Sequence, residues 1–268
     1  MGGYEGIRFY GGSTTVLTSN SITNNTVQDF YTNGIFMYYT SRSNILGNDI
    51  KRPNSVTGTS FYGIYLSTGN VEAVIDANRI HDTHNMTSSQ TTLAYGIYFS
   101  GSDAAAGQEN RVSNNLIYNF NSGSGIQYGI YNSSSDYAQY YHNTILLNDA
   151  ASTAGTTRGF YQVTTATGIE LTNNIIKIGR AGTGDKYALY FGTSTSTITS
   201  NYNDLVVTST GGTVNSTGYL SGAVPADKPT LADWQSTGQD ANSVSIEPNF
   251  INPSIGNLKP FAASLDNL

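Results

Sequence analysis

The stretch Tyr62-Gly63-Ile64-Tyr65-Leu66 decides the fold of this chain because it recurs along the sequence. In most copies a Gly is followed by Ile, an aromatic residue and another mostly apolar residue. The copies begin at Gly6, Gly34, Gly63, Gly96, Gly129, Gly159 and Ala188, at intervals of 28 to 33 residues. A short strand that returns at such an interval is typical of a solenoid, in which each unit buries its apolar face only against its neighbours.

A second pattern follows each copy of the first, with an apolar residue, two further residues, Asn, one further residue and usually Ile. Its asparagines are Asn20, Asn48, Asn78, Asn115, Asn143, Asn174 and Asn201. We expect this asparagine column to lie in a short turn between two strands, because Asn tolerates the left-handed backbone region. Stacked Asn side chains can also hydrogen-bond to one another along the solenoid.

Each repeat therefore predicts three short strands: one at the Gly-Ile motif, one just before the Asn and one just after it. Alternation within the first strand sends Ile64 and Leu66 to one face and Tyr65 to the other. Stacking the repeats places equivalent strands on one another, about 4.8 Å apart, in three parallel sheets around an aliphatic core.

Together the two patterns resemble the coil repeat of the right-handed parallel β-helix, as found in the pectate-lyase-like superfamily, over residues 6–207. The resemblance implies an all-β, single-stranded parallel β-helix of about seven coils. After Val207 the period fades, and Thr230 and Asp233 form the capping box of a short helix. We expect its Trp234 to cover the end of the core. The predicted organisation is one domain, with coils in 1–207 and a C-terminal capping segment in 208–268.

Composition excludes several classes of partner. The chain has no Cys, so neither disulfides nor thiolate metal sites are expected. A net charge of −6 argues against nucleic acid and anionic membranes as partners, since both are bound through an excess of Lys and Arg. The sequence lacks an apolar run of the length that a membrane span needs, so no membrane insertion is predicted. Oligomeric state is left open, and no cofactor is expected.

Two neighbouring files of outward residues on the first strands are the candidate binding surface. One file contains Arg8 and Phe36, and the other contains Glu5, Asn33 and Arg158. Their tyrosines, which we predict to be carbohydrate-binding, are Tyr62, Tyr65, Tyr95, Tyr98, Tyr128, Tyr131, Tyr161, Tyr187 and Tyr190. Aromatic rings offer a face to the apolar side of a sugar and hydroxyls to its polar edges. The alternative is a purely structural ladder, because aromatic residues favour strands and stack on like neighbours.

Candidate catalytic groups are sparse. Glycoside hydrolysis needs two nearby carboxylates, but the middle coils place Asp103, Glu109 and Asp136 only in loops, where we expect them to be solvated. A lyase of the superfamily would combine an Arg with a calcium-binding acidic cluster. Arg8 and Arg158 lack matching acids in adjacent coils. His81, Asp82 and His84 are too few for a metal site without further ligands, and we predict a solvated loop there and no metal.

The segments 231–243 and 248–250 look like the closing part of β-helix modules in large secreted bacterial surface proteins. We therefore expect a non-catalytic, rigid module of a secreted or cell-surface bacterial protein, present as part of a larger chain, with polysaccharide held on the tyrosines. The alternative is a polysaccharide-degrading enzyme, a lyase or a glycoside hydrolase, with its site beside the same face.

Overall fold

Equivalent strands stack from coil to coil in this protein. The structure is a computed structural model that describes residues 3–56, 58–87, 89–262 and 265. The chain forms a parallel β-solenoid of about seven coils, as the repeat predicted. Three sheets run along its length, and each coil adds one strand to each sheet.

The first sheet contains the Gly-Ile strands Glu5–Tyr10, Asn33–Tyr38, Phe61–Leu66, Ala94–Ser100, Gln127–Ser133, Thr157–Gln162, Lys186–Phe191 and Asn215–Leu220, and ends on the antiparallel strand Asp227–Lys228. The second sheet contains Ser21–Thr23, Asn44–Leu46, Val74–Asp76, Asn110–Ser113, Ala138–Tyr141, Ile169–Thr172 and Ile198–Asn201. The third contains Thr26–Gln28, Asp49–Lys51, Arg79–His81, Leu116–Tyr118, Thr144–Leu147, Ile175–Ile178 and Asp204–Val207. A further pair joins Leu17–Thr18 to Thr40–Ser41.

The core is built from vertical columns of like residues. Ile35, Ile64, Ile97 and Ile130 lie opposite one another in successive first strands, as the repeat requires. Each is at most 2% exposed. Equivalent columns from the second and third sheets complete one continuous interior. Since each column side chain packs on a near-copy of itself, the apolar surface of every coil is buried by its neighbours.

The glycine of the repeated motif marks the place where the first strand comes closest to the third. A Cβ on Gly63 would lie 2.5 Å from Cγ2 of Ile80 and 2.6 Å from the carbonyl oxygen of Gly96. Both distances are far below van der Waals contact. The motif therefore begins with Gly because a core isoleucine occupies the space that any side chain would need.

A ladder of asparagines, buried from Asn48 onward, runs along the turn between the second and third strands. In this ladder each side-chain oxygen accepts hydrogen bonds from the backbone N–H and the side-chain amide of the Asn one coil earlier. From Asn48 onward, each amide also donates to a backbone carbonyl one coil back, as Asn115 does to Ile75 at 2.9 Å. The members are Asn25, Asn48, Asn78, Asn115, Asn143, Asn174 and Asn203. The predicted stacking of asparagines is confirmed.

Two members of the predicted asparagine column were wrong. Asn25, not Asn20, belongs to the ladder in the first coil, because Ile22 pairs with Ile45. Asn203, not Asn201, belongs to it in the last coil. In the first coil the apolar residue expected before the turn, Leu17, lies one strand too early. In the last coil Ile198 lies in the correct strand, but Ser200 occupies the position before the turn.

The conformational reason given for the ladder asparagines also needs correction, because the left-handed backbone falls on the preceding residue. That residue has φ between +54° and +63° in all seven coils. It is Asn24, Gly47, Ala77, Asn114, His142, Asn173 and Tyr202 in successive coils. The ladder position requires Asn because its side-chain amide group bonds backbone groups that the turn leaves unpaired.

The C-terminal end of the core is closed by Trp234. Its ring lies on Gly218, which occupies the position that Leu189 fills one coil earlier, and a Cβ on Gly218 would be 2.2 Å from the indole. Trp234 is fully buried and lies 5.1 Å from the ring of Phe191. The helix that carries it, Leu231–Gln235, begins with the predicted capping box between Thr230 and Asp233. The predicted role of Trp234 as a cover is confirmed.

Asp240 joins this cap to the asparagine ladder. Its Oδ2 accepts the indole N–H of Trp234 at 2.7 Å, and its Oδ1 accepts the side-chain amide of Asn203 at 2.8 Å. The hydroxyl of Ser243 donates to Oδ1 as well. One carboxylate therefore ends the ladder and positions the tryptophan.

The C-terminal segment then turns back along the outside of the third sheet. Leu258 is 3% exposed and packs with Tyr118 and Leu146, outward residues of two middle coils. Lys177 and Glu247 form an ion pair, and the carbonyl of Ile255 accepts a hydrogen bond from Arg79. This segment covers an apolar patch on the outer side of the third strands.

Helix is scarce. Besides the five-residue α-helix, the described residues contain the 3-10 helix Pro253–Ile255 and Leu265 in 3-10 conformation. None is long enough to cross a membrane.

We predict that Asn115→Ala lowers the free energy of unfolding by about 3 kcal/mol or more. The substitution removes the acceptor of the backbone N–H of Asn78 and of one of its two amide N–H groups, and removes a donor to the carbonyl of Ile75, at about 1–3 kcal/mol for each unsatisfied group. The other amide N–H of Asn78 keeps its bond to Ile45. Urea unfolding followed by circular dichroism measures the loss. Asn20→Ala is the matched control, because Asn20 donates only to Leu17 and Ser43 in a partly exposed turn. Equal losses for the two variants would contradict the ladder.

We predict that Gly218→Ala destabilises the fold by about 1–3 kcal/mol, the usual cost of overpacking. The added methyl group overlaps the buried indole of Trp234, which is fixed by its bond to Asp240. Gly12→Ala serves as control, because a Cβ there has no heavy atom within 4 Å. Thermal unfolding should show a clear loss for the first variant alone, and unchanged stability of Gly218→Ala would argue against the tight fit.

Candidate functional site on the first sheet

The two predicted files of outward residues form one surface. Cα pairing between the first strands places Phe36, Tyr65, Tyr98, Tyr131, Tyr161 and Tyr190 in one continuous file. The second file contains Asn33, Tyr62, Tyr95, Tyr128, Arg158 and Tyr187. Because the backbone register is strict, all nine predicted tyrosines lie side by side.

Tyr219 extends the surface by one coil and was missed in the sequence. It pairs with Tyr190, and their rings lie 4.2 Å apart at an interplanar angle of 5°. The signal was present as Gly218-Tyr219-Leu220, with a tyrosine 29 residues after Tyr190. The Gly at the usual Ile position concealed the match. We call the nine predicted tyrosines together with Tyr219 the tyrosine face.

Most rings of the tyrosine face stack on one another along the solenoid. Tyr62 and Tyr95 lie 4.6 Å apart at 10°, and Tyr65 and Tyr98 lie 4.6 Å apart at 14°. Tyr128 continues the stack, 5.0 Å from Tyr95 at 18°. These separations match the spacing of paired strands, about 4.8 Å. Stacked rings cover each other's faces, so this part of the surface presents ring edges and hydroxyls.

The two files differ in depth. Tyr128 and Tyr187, both in the second file, are 6% and 5% exposed. The hydroxyl of Tyr187 donates to Oδ1 of Asp227 at 2.9 Å. The tyrosines of the first file are half-buried throughout. Tyr62 and Tyr95 of the second file are also half-buried, so a ligand would meet the first file before the second only from Tyr128 onward.

Arg158 is the one cation within the middle of the tyrosine face, in the part of the chain that the structure describes. Its guanidinium lies 4.4 Å from the ring centroid of Tyr161 and 4.2 Å from that of Tyr190. One of its terminal nitrogens, Nη1, donates to the hydroxyl of Tyr128 at 3.2 Å. Cation–π contacts of this kind contribute about 0.5–2 kcal/mol. Arg8, at the other end of the first file, instead pairs with Glu5 at 3.3 Å.

Eight phenols of the tyrosine face stay neutral at physiological pH. Burial raises the pKa of Tyr62, Tyr95, Tyr98, Tyr128, Tyr131, Tyr161, Tyr187 and Tyr190. A neutral phenol both donates and accepts hydrogen bonds. The surface is therefore uncharged apart from Arg158, and well suited to hydroxyl groups.

The loop acids considered for catalysis hold backbone groups. Oδ1 of Asp103 accepts the N–H of Asp136 at 3.3 Å, and Oδ1 of Asp136 accepts the N–H of Thr167 at 2.6 Å. Oε1 of Glu109 accepts the N–H of Gly107 at 2.7 Å. Each carboxylate thus has a structural role in stacking or closing a turn.

His81 and His84 are buried, so the prediction of a solvated loop was wrong. His81 is 7% exposed and lies between two carboxylates, with Nε2 2.7 Å from Asp49 and Nδ1 2.8 Å from Asp82. Its ring stacks at 4.7 Å on Tyr118 of the next coil. This stacking across coils, invisible in a single repeat, removes the imidazole from solvent.

His84 belongs to a different cluster. It is 1% exposed, and its Nε2 lies 2.9 Å from Nη2 of Arg52. Burial, followed by the charge of Arg52, lowers the pKa of His84 to about 4. The imidazole is therefore a neutral acceptor for the guanidinium. In the described residues no group of three or more His, Asp or Glu side chains is arranged to hold a metal ion.

Buried cations secure the turns that lead from the third strands back to the first. Arg52 is 1% exposed and donates to the carbonyls of Tyr31, Thr59 and Thr83. Further along, Arg180 donates to Gly123 and Thr157. These long side chains replace the strand hydrogen bonds that the loops lack, so the loops support the fold.

Asp204 is a buried carboxylate where the C-terminal segment meets the third sheet. It is fully buried, its Oδ1 accepts the N–H of Ile246 at 2.8 Å, and its Oδ2 has no partner. Burial raises the pKa of Asp204 to about 7, while the bond from Ile246 opposes the rise. Lys177 and Glu247 form an ion pair nearby, in which the charge of Glu247 raises the pKa of Asp204 and the charge of Lys177 lowers it.

Comparisons of the chain with protein-family models, with curated proteins and with solved structures found no significant match in any of the three. The fold and the tyrosine face therefore rest on the sequence and the structure of this chain.

We predict that the stability of the wild type falls as pH rises from about 4 to about 7, relative to Asp204→Asn. The folded pKa of Asp204, about 7, exceeds the unfolded value of about 4, so the folded state binds the extra proton in this window. Stabilisation by that proton is lost as pH approaches 7. Thermal unfolding at pH 5 and pH 8 measures the effect, with the variant gaining on the wild type at pH 8. Parallel pH profiles for the two proteins would contradict it.

Proposed function

We propose that this chain is a non-catalytic, rigid module of a secreted or cell-surface bacterial protein, and that it holds polysaccharide on its tyrosine face. The observation that carries the proposal is the continuity of that face. From Tyr62 to Tyr219 every first strand contributes at least one tyrosine, in register. An extended polymer and a surface with groups at regular spacing match each other in shape.

The rigidity of the module is supported by its hydrogen bonding. The asparagine ladder links each coil to the next through two bonds to one oxygen, and it continues into the C-terminal cap through Asp240. Side chains with so many partners leave little freedom between coils. A solenoid of this kind keeps its binding groups at fixed distances, which reduces the entropy lost when an extended ligand binds.

The chemistry of the face supports a carbohydrate as the ligand. Neutral phenols supply hydroxyl donors and acceptors, and ring edges supply apolar contact. Arg158 adds one donor group beside Tyr128 and Tyr161. The non-catalytic form of the proposal agrees with the loop acids, since Asp103, Asp136 and Glu109 are engaged by backbone N–H groups.

We predict that the triple variant Tyr65→Ala, Tyr98→Ala, Tyr131→Ala binds polysaccharide about 100-fold more weakly than the wild type. Loss of the apolar and hydroxyl contacts of all three rings is expected to cost about 3 kcal/mol in total. Affinity electrophoresis through gels containing neutral or acidic polysaccharides measures the retardation, with circular dichroism to confirm folding.

The control combines Tyr4→Ala with Tyr202→Ala. These tyrosines are 63% and 45% exposed and neither belongs to the tyrosine face, so retardation should be unchanged. The proposal fails if the triple variant is retarded as strongly as the wild type, or if the wild type is retarded by none of the gels.

A further inference from the structure

Tyr131 differs from the other tyrosines of the face in how its ring is oriented. It lies perpendicular to all four of its ring neighbours, at 85° to Tyr95, 85° to Tyr98, 78° to Tyr128 and 86° to Tyr161. The centroid separations are 4.8 to 5.4 Å. Tyr131 therefore stacks on none of the rings around it.

The remaining tyrosines of the face, with one exception, each stack on at least one other ring. Interplanar angles are 10° for Tyr62 with Tyr95, 14° for Tyr65 with Tyr98, and 13° for Tyr128 with Tyr161. Tyr190 stacks on Tyr219 at 5°. The exception is Tyr187, which is 5% exposed and bonded to Asp227, so its ring is closed to a ligand.

The direction of the stack explains why this orientation matters. Rings of successive coils that face each other at the strand spacing turn their faces along the solenoid, as Tyr62, Tyr95 and Tyr128 do. A ring perpendicular to them has its plane running along the solenoid, so its two faces point across the solenoid axis. The edge of Tyr128 contacts one of these faces, with the two ring centroids 4.9 Å apart, which leaves the opposite face as the one that a ligand would contact. Tyr131 is also half-buried, so it is fixed in place and still reachable.

Sugar recognition by aromatic residues needs an open ring face. The C–H groups on one side of a pyranose contact the π-surface, while the sugar hydroxyls bind polar groups around the ring. Around Tyr131 those polar groups are the hydroxyl of Tyr128 and the guanidinium of Arg158, which are bonded to each other at 3.2 Å. The same guanidinium lies over the ring of Tyr161, which follows Tyr131 in the first file.

We propose that Tyr131 is the sugar-stacking residue of the tyrosine face, where one pyranose of a neutral, β-linked hexose polymer lies flat on its ring. When the hexose is glucose, all ring substituents are equatorial, so both faces of each sugar carry axial C–H groups. The neighbouring stacked tyrosines then supply hydroxyl contacts along the same chain. This inference rests on the proposed function and assigns a specific subsite within it.

The test compares two positions in adjacent coils of the first file by affinity electrophoresis in hydroxyethylcellulose, a neutral β-1,4-linked glucan. Tyr131→Leu removes the ring and Tyr131→Phe keeps it without the hydroxyl. Tyr98→Leu and Tyr98→Phe are the matched controls in the stacked part. We expect Tyr131→Leu to weaken binding by tenfold or more, Tyr131→Phe by less than twofold, and Tyr98→Leu by less than threefold. Thermal unfolding checks that all four variants are folded.

A second measurement is independent of stability. In NMR spectra of cellohexaose with the protein, sugar C–H protons should shift upfield through the ring current of Tyr131, and the shift should be lost in Tyr131→Leu and kept in Tyr98→Leu.

Equal weakening by Tyr131→Leu and Tyr98→Leu would overturn the assignment of Tyr131 while leaving the proposed function standing. Equal weakening by Tyr131→Phe and Tyr131→Leu would also overturn it, because the hydroxyl would then carry the contact. If neither the wild type nor any variant is retarded in this gel but an acidic polysaccharide retards the wild type, the neutral ligand class is wrong. If no polysaccharide retards the wild type, the proposed function and this inference both fail.

Discussion

The hydrogen bonds of the buried asparagine ladder are the constraint on which the rest of the structure depends. A solenoid with turns of one or two residues leaves backbone N–H and carbonyl groups at every corner, away from water. The ladder satisfies them by offering one oxygen to two donors of the preceding coil and an amide to a carbonyl. Buried polar groups without partners cost about 1–3 kcal/mol each. A shift of one coil against the next would break several of these bonds at once, so the ladder fixes the register.

Register in turn decides what the two ends and the outer surfaces look like. At the C-terminal end, Asp240 takes the place of the next asparagine and at the same time holds the indole of Trp234 over the core. The asparagine ladder therefore ends on Asp240 and the apolar core ends on Trp234, two side chains that are hydrogen-bonded to each other. On the third sheet, register aligns Tyr118 and Leu146, and Leu258 of the returning segment covers them. Closure of the core and attachment of the last segment follow from the same vertical alignment.

The tyrosine face is also a product of register, but its chemistry depends on ring orientation. Phenol rings that stack along the solenoid cover one another's faces and expose their edges and hydroxyls to solvent. The same surface therefore stabilises the sheet and offers hydrogen-bonding groups. Where the stack is interrupted, at Tyr131 and Arg158, the tyrosine face contains a cation and a ring that meets its neighbours only edge to face. Stabilisation of the sheet and binding of a ligand are therefore compatible, and different residues of one surface can serve each purpose.

The sequence by itself determined the parallel β-solenoid, its three strands per coil, the isoleucine columns, the capping helix and the position of the nine tyrosines. It could do so because a repeat converts local spacing into long-range contact: residues one period apart must be stacked neighbours. Where the repeat weakens, at Asn20, Asn201 and Gly218, assignment from the sequence slipped or failed. Tertiary structure alone decided that His81 and His84 are buried, that the segment ending near Leu258 folds back on the third sheet, and that Tyr131 stands across the stack. These features depend on side-chain orientation and on contacts between unlike segments, for which a repeating sequence contains no spacing rule.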